Sequence, residues 1–167
     1  MTTDLTARVA ELATAIEADL AEDEAVALST IDINDRVRMR SGAPPPRWVA
    51  EPGGSIRSAD RYSILRVTHT WTGERDHIIR NDPARVLRRV KATRDLVAAI
   101  LAEKHDYIPG GEFYSCSQAI DPYPGESGEP GSGCHDPERA GKPCDCGRDA
   151  RVARLLGIIA SEWEETG

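Results

Sequence analysis

The stretch NDPARVLRRVKATRDLVAAILAEK (81–104) decides the fold, because it announces a helix start and then keeps helical period to its end. Asp82 suits the N-cap, where its carboxylate accepts from the free amides of the first turn. Pro83 suits the first helical position, where a missing N–H costs nothing. From there Val86, Leu87, Val90, Val97, Ile100 and Leu101 form one apolar stripe, and Arg85, Arg88, Arg89, Lys91 and Arg94 fill the other side. The spacing predicts a basic central helix from Pro83 to about Lys104.

Upstream, residues 3–30 predict one long helix. Leu5, Val9, Leu12, Ile16 and Leu20 recur three or four residues apart, with Ala13 and Ala27 on the same side. Thr2, Thr3 or Asp4 supplies the cap. The polar side carries Glu11, Glu17, Asp19, Glu22, Asp23 and Glu24, so an acidic helix faces the prospect of a basic one. Between the two, IDINDRVRMRSGAPPP reads as a break, since Pro44, Pro45 and Pro46 neither continue a helix nor donate to a ladder. The β-prone runs RWVAE (47–51) and RYSILRVTH (61–69), joined through EPGGSIRSAD, predict a hairpin or small meander with Trp48, Ile64 and Val67 on its covered face.

The charge follows these segments. Residues 1–33 hold eight acids against one base, residues 34–104 eight against fifteen, and residues 105–167 twelve against five, within a net charge of −7. A basic middle between acidic ends suits internal neutralisation better than free-standing nucleic-acid binding, which is usual in a net basic domain. Exposed ion pairs contribute only ~0.2–1 kcal/mol each, so the aliphatic stripes must carry the stability.

Downstream of the basic helix the character changes. Fourteen of the twenty-five Gly and Pro residues fall between positions 109 and 147, too long a connection to sit in a compact domain without a staple. All four cysteines lie in it: Cys116, Cys134, Cys144 and Cys146. Three readings compete. Four thiolates around a structural Zn²⁺ would tie the loop down; one or two disulfides would do so in an oxidising compartment; or the thiols are unlinked. The C-x-C of Cys144 and Cys146 is weaker than a C-x₂-C knuckle, and the zinc reading is the one adopted here. His135, adjacent to Cys134, is a reserve ligand, because neighbouring residues seldom reach one ion together. After the loop, Asp145 or Asp149 begins a short helix with Val152, Leu155, Leu156, Ile159 and Trp163 on one side. Its late acids Glu162, Glu164 and Glu165 oppose the helix dipole, so its end should fray unless Trp163 is packed.

Catalytic signals are missing from the sequence. It has no G-x-x-x-x-G-K-[ST], no G-x-G-x-x-G after a strand, no H-E-x-x-H and no G-x-S-x-G. The deaminase pattern H-x-E…P-C-x-x-C is absent despite Pro143-Cys144. His69, His77 and His105 are scattered and read as surface or satisfied core histidines. No apolar run approaches the ~18 residues of a membrane span, and the acidic N-terminus lacks the features of a signal peptide, so a cytoplasmic protein is expected.

Two stretches resemble a known family. IEADLAEDEAVAL (16–28) resembles the opening helix, with its L-x-E-D-E-x-A core, of the domain of unknown function 6221. HIIRNDPARVLRRVKATRDLV (77–97) resembles that family's H-I-x-R-x-D-P-A-R-V-L-x-x-V-x-A-K-R signature through His77, Ile78, Arg80, Asp82 to Leu87, Val90 and Arg94. Arg47-Trp48 and the ending with Cys146, Leu155, Leu156, Glu162 and Trp163 fit more loosely. A Tyr and a His-Pro-x-Tyr usual in the family before the final E-W are missing here, and the Gly/Pro loop is expanded. The resemblance implies an intracellular protein of high-GC bacteria or their phages and contributes no catalytic residue.

The predicted architecture is therefore α+β: a helix–hairpin–helix core over 1–108, a Gly/Pro-rich cysteine loop over 109–147 clasped by zinc, and a C-terminal helix over 148–167 packing on the core. The expected function is that of a small non-enzymatic interaction protein with an unidentified protein partner and no membrane partner. The alternative is a nucleic-acid accessory factor using Arg85, Arg88, Arg89, Lys91 and Arg94, with Arg36, Arg38 and Arg40 nearby. A third reading, a metallohydrolase, requires three protein ligands and a bound water. The N-terminal stripe would pair with its own copy as readily as with residues 83–104.

Overall fold

A computed structural model describes residues 4–59, 65–68, 70–109, 115–123 and 127–164. In chain order these form α1 (Leu5–Ser29), α2 (Ile33–Arg40), β1 (Trp48–Ala50), β2 (Ile56–Ser58), β3 (Leu65–Val67), α3 (Thr72–Arg80), α4 (Pro83–Leu101) and α5 (Arg148–Glu164). The class is α+β, as the periodicity predicts. No helix among the described residues is long and apolar enough to cross a membrane.

The caps explain the two long helices. Asp4 Oδ1 accepts from the amides of Thr6 (3.0 Å) and Ala7 (3.3 Å) to start α1. Asp82 Oδ1 accepts from the Arg85 amide at 2.6 Å to start α4 at Pro83. Two shorter helices fall where the sequence suggested a break or none. Asp32 caps α2 through the Asn34 amide (2.8 Å), and Gly42, at φ 90°, ends that turn before the prolines. Glu74 accepts from the Trp71 amide (3.1 Å) to open α3. Both are short and carry almost no apolar stripe, which is why period alone passes over them.

The strands form a three-stranded antiparallel meander in the order β1-β2-β3. Its middle strand comes from within EPGGSIRSAD, expected to be linker: Trp48 pairs with Ser58 and Ala50 with Ile56, and Ile56 then pairs with Val67. The turn works because Gly54 sits at φ 84° with Thr70 folded over it. The Thr70 amide and hydroxyl both donate to the Gly54 carbonyl, at 3.0 and 2.7 Å. A Cβ on Gly54 would lie 2.9 Å from the Thr70 oxygen. Of the covered face expected from Trp48, Ile64 and Val67, Trp48 and Val67 are half-buried and pair with Ser58 and Ile56, the two fully buried residues of β2, and Ile64 lies outside the described residues.

The chain divides into two compact units, one comprising residues 1–16 with 96–167, the other residues 17–95. In the second unit Leu20, Ala27, Ile31, Ile56, Ala84 and Val90 are buried. Within it the acidic and basic helix faces do meet: Arg89 reaches Asp23 at 3.1 Å, and Arg94 reaches Glu17 at 2.8 Å and Glu24 at 2.7 Å. Arg94 thus bridges two carboxylates two turns apart on α1, on either side of the Asp23 that Arg89 meets.

The first unit buries Val9, Leu12, Ile16, Cys116, Ala119, Val152, Leu156 and Ala160. Helix α5 begins at Arg148, after Gly147 at φ 79°, with Asp149 inside the first turn instead of capping it. It continues past Trp163, which is half-buried, to Glu164. Leu5 and Leu101, the outermost members of their stripes, are exposed.

Candidate metal centre

The site lies entirely within the first unit and is assembled from three places. His105 follows the end of α4, Cys116 sits in the segment 115–121, and Cys144 and Cys146 precede α5. Their ligand atoms, one nitrogen and three sulfurs, all lie within 4.8 Å of one another. Cys116 Sγ is 3.9 Å from Cys144 Sγ, and Cys144 Sγ is 3.5 Å from Cys146 Sγ. His105 Nδ1 is 3.7 Å from the sulfurs of both Cys116 and Cys146. A tetrahedron with metal–sulfur bonds of ~2.3 Å has sulfur–sulfur edges of about 3.8 Å, and a metal–nitrogen bond of ~2.0–2.1 Å makes the mixed edges about 3.5 Å. The four edges given lie close to those values, and the remaining two are within 4.8 Å. They are far longer than the ~2.05 Å of a disulfide, and all four cysteines are free.

The Gly/Pro-rich segment holds this geometry through its backbone. The Cys116 amide donates to the Asp106 carbonyl (3.0 Å), the Gly141 amide to Ser117 O (3.0 Å) and the Gly133 amide to Ala119 O (3.0 Å). Ser117 Oγ donates to Pro143 O at 2.7 Å, the Ser117 amide donates to Asp145 Oδ1 at 3.1 Å, and Gln118 Nε2 donates to Lys142 O. Four separate stretches of chain thus lie backbone to backbone. Such proximity demands glycine: at Gly131, φ 84°, a Cβ would fall 2.3 Å from the Gly141 nitrogen and 2.9 Å from the Ser117 oxygen. The abundance of glycine that reads as linker in the sequence is here the condition for a tight knot.

The surroundings favour thiolate at Cys116 and oppose it at Cys146. Burial pushes the Cys116 thiol up, but amide N–H groups of Gln118, Asp145 and Cys146 point at it and outweigh burial, so it ends lowered. The Gln118 amide is 3.5 Å from that sulfur. Cys146 is pushed up to about 11 by burial, with the amides of Asp106 and Arg148 opposing. A divalent cation would bring both to the thiolate form, since thiolate is the form that ligates.

Beyond the donors, a carboxylate stands on the far side of the His105 ring. With Nδ1 toward the sulfurs, Nε2 lies 3.8 Å from Asp149 Oδ1. Asp149 is buried and receives Arg148 Nη1 at 2.9 Å. The same guanidinium donates to Leu101 O (2.7 Å) and Glu103 O (2.8 Å), closing the C-terminal end of α4. Arg151 adds a pair to Glu103 at 2.6 Å.

The expected ligands are thus distributed unevenly. Cys116, Cys144 and Cys146 come together, whereas Cys134 is not one of the four. Its sulfur donates to Asp136 O at 3.6 Å, and His135 is exposed. The fourth member of the cluster is His105, which its scattered spacing reads as a surface or satisfied core residue. Its available signal was position: it is the first histidine after α4, eleven residues before Cys116. His77 lies exposed on α3, and His69 is outside the described residues.

The five cations of the alternative reading also divide. Arg89, Lys91 and Arg94 are engaged by Asp23, Asp95, and Glu17 with Glu24. The two glutamates hold the Arg94 guanidinium raised well above its ordinary range. Arg85 and Arg88 are exposed and form no ion pair among the described residues.

Residues 9–122 match the family of unknown function DUF6221. The chain belongs to that family. The match takes in His105 and Cys116 and stops short of Cys144 and Cys146. No curated protein and no solved structure matches the chain.

Proposed function

We propose that this member of DUF6221 is a small non-enzymatic interaction protein whose first unit is organised by one structural Zn²⁺ held by His105, Cys116, Cys144 and Cys146. The observation that carries the reading is the set of four donor atoms spaced as the edges of a tetrahedron. Three thiolates and an imidazole suit zinc, whereas hard cations such as Mg²⁺ and Ca²⁺ take oxygen. When bound, zinc would supply a cross-link, joining the end of α4, the segment 115–121 and the start of α5.

Four protein donors complete the shell, so no position is kept for a substrate or a water, and the metallohydrolase reading loses its support. What supports a role in interaction is the scaffold, a pinned surface on which the described residues form no catalytic constellation. Intracellular residence fits reduced thiols, because an oxidising compartment would favour disulfides.

The test is zinc stoichiometry by native against denaturing mass spectrometry. One zinc per chain is expected, retained in Cys134→Ser and lost in Cys116→Ser. Retention in Cys116→Ser together with loss in Cys134→Ser would overturn the ligand set. Steady turnover by the zinc-loaded protein would overturn the non-enzymatic reading.

A further inference from the structure

The basic middle of the chain is not wholly neutralised by the acidic helix. Glu17, Asp23 and Glu24 are taken by Arg94 and Arg89, and Asp95 by Lys91. Arg47, Arg80, Arg85 and Arg88 remain exposed without an ion pair among the described residues. They are not dispersed. One hollow in the second unit is lined by Arg80, Arg85, Arg88 and Arg89, and another by Arg38, Arg47 and Arg88 together with Pro44 to Pro46. Arg88 belongs to both, so the two hollows adjoin.

Two features make this a surface for anions instead of a solvated helix face. Arg85, Arg88 and Arg89 occupy i, i+3 and i+4 of α4, which puts the Cβ atoms of Arg88 and Arg89 each about 5–6 Å from that of Arg85. The carboxylate in the second hollow, Asp35, is buried and already faces Arg38 at 3.1 Å and Arg66 at 3.8 Å, so its charge is spent locally. The α4 N-terminus contributes little, because Asp82 already occupies its free amide.

We infer that this arginine surface binds the phosphate backbone of nucleic acid. Every cation in the two hollows is arginine, whose planar fork matches phosphate oxygens two at a time and stacks on bases. A protein partner of this size would be expected to meet aromatic or aliphatic anchors at the centre, and the first hollow offers Val86 alone. A membrane would require bulky apolar residues to insert beside the charges, and the two hollows carry only Val86, Ala59 and Pro44 to Pro46. With a net charge of −7, the protein would be held by this local patch and not by its overall field. The set differs from the one the sequence suggests: Lys91 and Arg94 drop out, and Arg47 and Arg80 enter.

The test measures fluorescence anisotropy of a labelled single strand and a labelled duplex with the full chain, from about 50 to 200 mM salt. For four phosphate contacts, a slope near −0.9 per contact predicts about a hundredfold weaker binding of duplex over that range. Arg85→Gln/Arg88→Gln should weaken binding at least tenfold and flatten the salt slope by about two contacts. Lys91→Gln, on the same helix but paired with Asp95, should leave both unchanged. All three positions are exposed, and circular dichroism checks that folding is retained. The inference is overturned if neither nucleic acid binds at low salt or if the double variant binds as the parent does. It is also overturned if polyglutamate or phosphatidylserine vesicles compete as well as nucleic acid, assigning the surface to an acidic protein or to lipid. The residues lie wholly in the second unit, so this outcome is separable from that of the zinc measurement.

Discussion

The segment 105–147 and the paired helix stretches 17–29 and 83–95 achieve order by different physics. The helices bury aliphatic side chains such as Leu20 and Val90, and their ion pairs lie at the rim, with side chains about one-third to over one-half exposed. Among the described residues of the cysteine segment the fully covered apolar side chains are the small ones of Cys116 and Ala119, whereas Ile108, Ile120 and Tyr123 are exposed. The segment substitutes backbone contacts, a glycine with no room for a Cβ, and four converging ligand atoms. A sequence poor in oily residues is therefore not by itself a linker. It is one when nothing else, metal or hydrogen bonding, supplies the missing cohesion.

The contrast can be broken most forcefully at the ligands. Cys116→Ser, or chelation of the metal, should abolish protection from hydrogen exchange across 105–147 and the start of α5, while 17–29 and 83–95 keep theirs. Apparent binding free energies of structural zinc are ~10–16 kcal/mol, larger than any single core contact. Uniform loss of protection in both regions would show that they do not differ in this way.

Next in size are matched core truncations, Leu156→Ala in the first unit and Leu20→Ala in the second, each expected to cost ~2–5 kcal/mol in denaturant unfolding. Both residues are 0–2% exposed. If the metal dominates the first unit, added Zn²⁺ should restore more of the Leu156→Ala loss than of the Leu20→Ala loss.

Gly131→Ala sharpens the comparison at the knot itself. A Cβ forced against Gly141 and Ser117 should cost ~1–3 kcal/mol and weaken zinc affinity. At Gly42, also at positive φ but with nothing within 4 Å, alanine should cost less and leave the metal alone. The smallest effect is expected from Arg94→Gln, which removes two exposed pairs. Its destabilisation should be below that of either leucine truncation, and should shrink in 1 M salt as the pairs are screened.

Legibility in the sequence follows the same division. Helices α1, α4 and α5 are long enough to repeat an apolar stripe several times, and Asp82-Pro83 marks the start of α4 within one residue. Helices α2 and α3 have eight and nine residues and few apolar ones, so they leave caps as their trace. Strand β2 is three residues long, too short for alternation to show, and only its pairing on both sides reveals it. At the site, clustering of the cysteines in one core-poor stretch picked out three donors. It also included Cys134, because spacing along the chain does not report which way a turn points its side chain. His105 was passed over because nothing local distinguishes a ligating histidine from an idle one.

By itself the sequence determined the periodic elements, the distribution of charge and the stretch in which sulfur chemistry had to lie, since each is a property of neighbours along the chain. Tertiary structure alone decided that His105 comes to the three sulfurs, that Gly131 has no room for a side chain, and which arginines lack an ion pair among the described residues. Those depend on residues far apart in sequence arriving within a few ångströms of one another, and no local pattern encodes that distance.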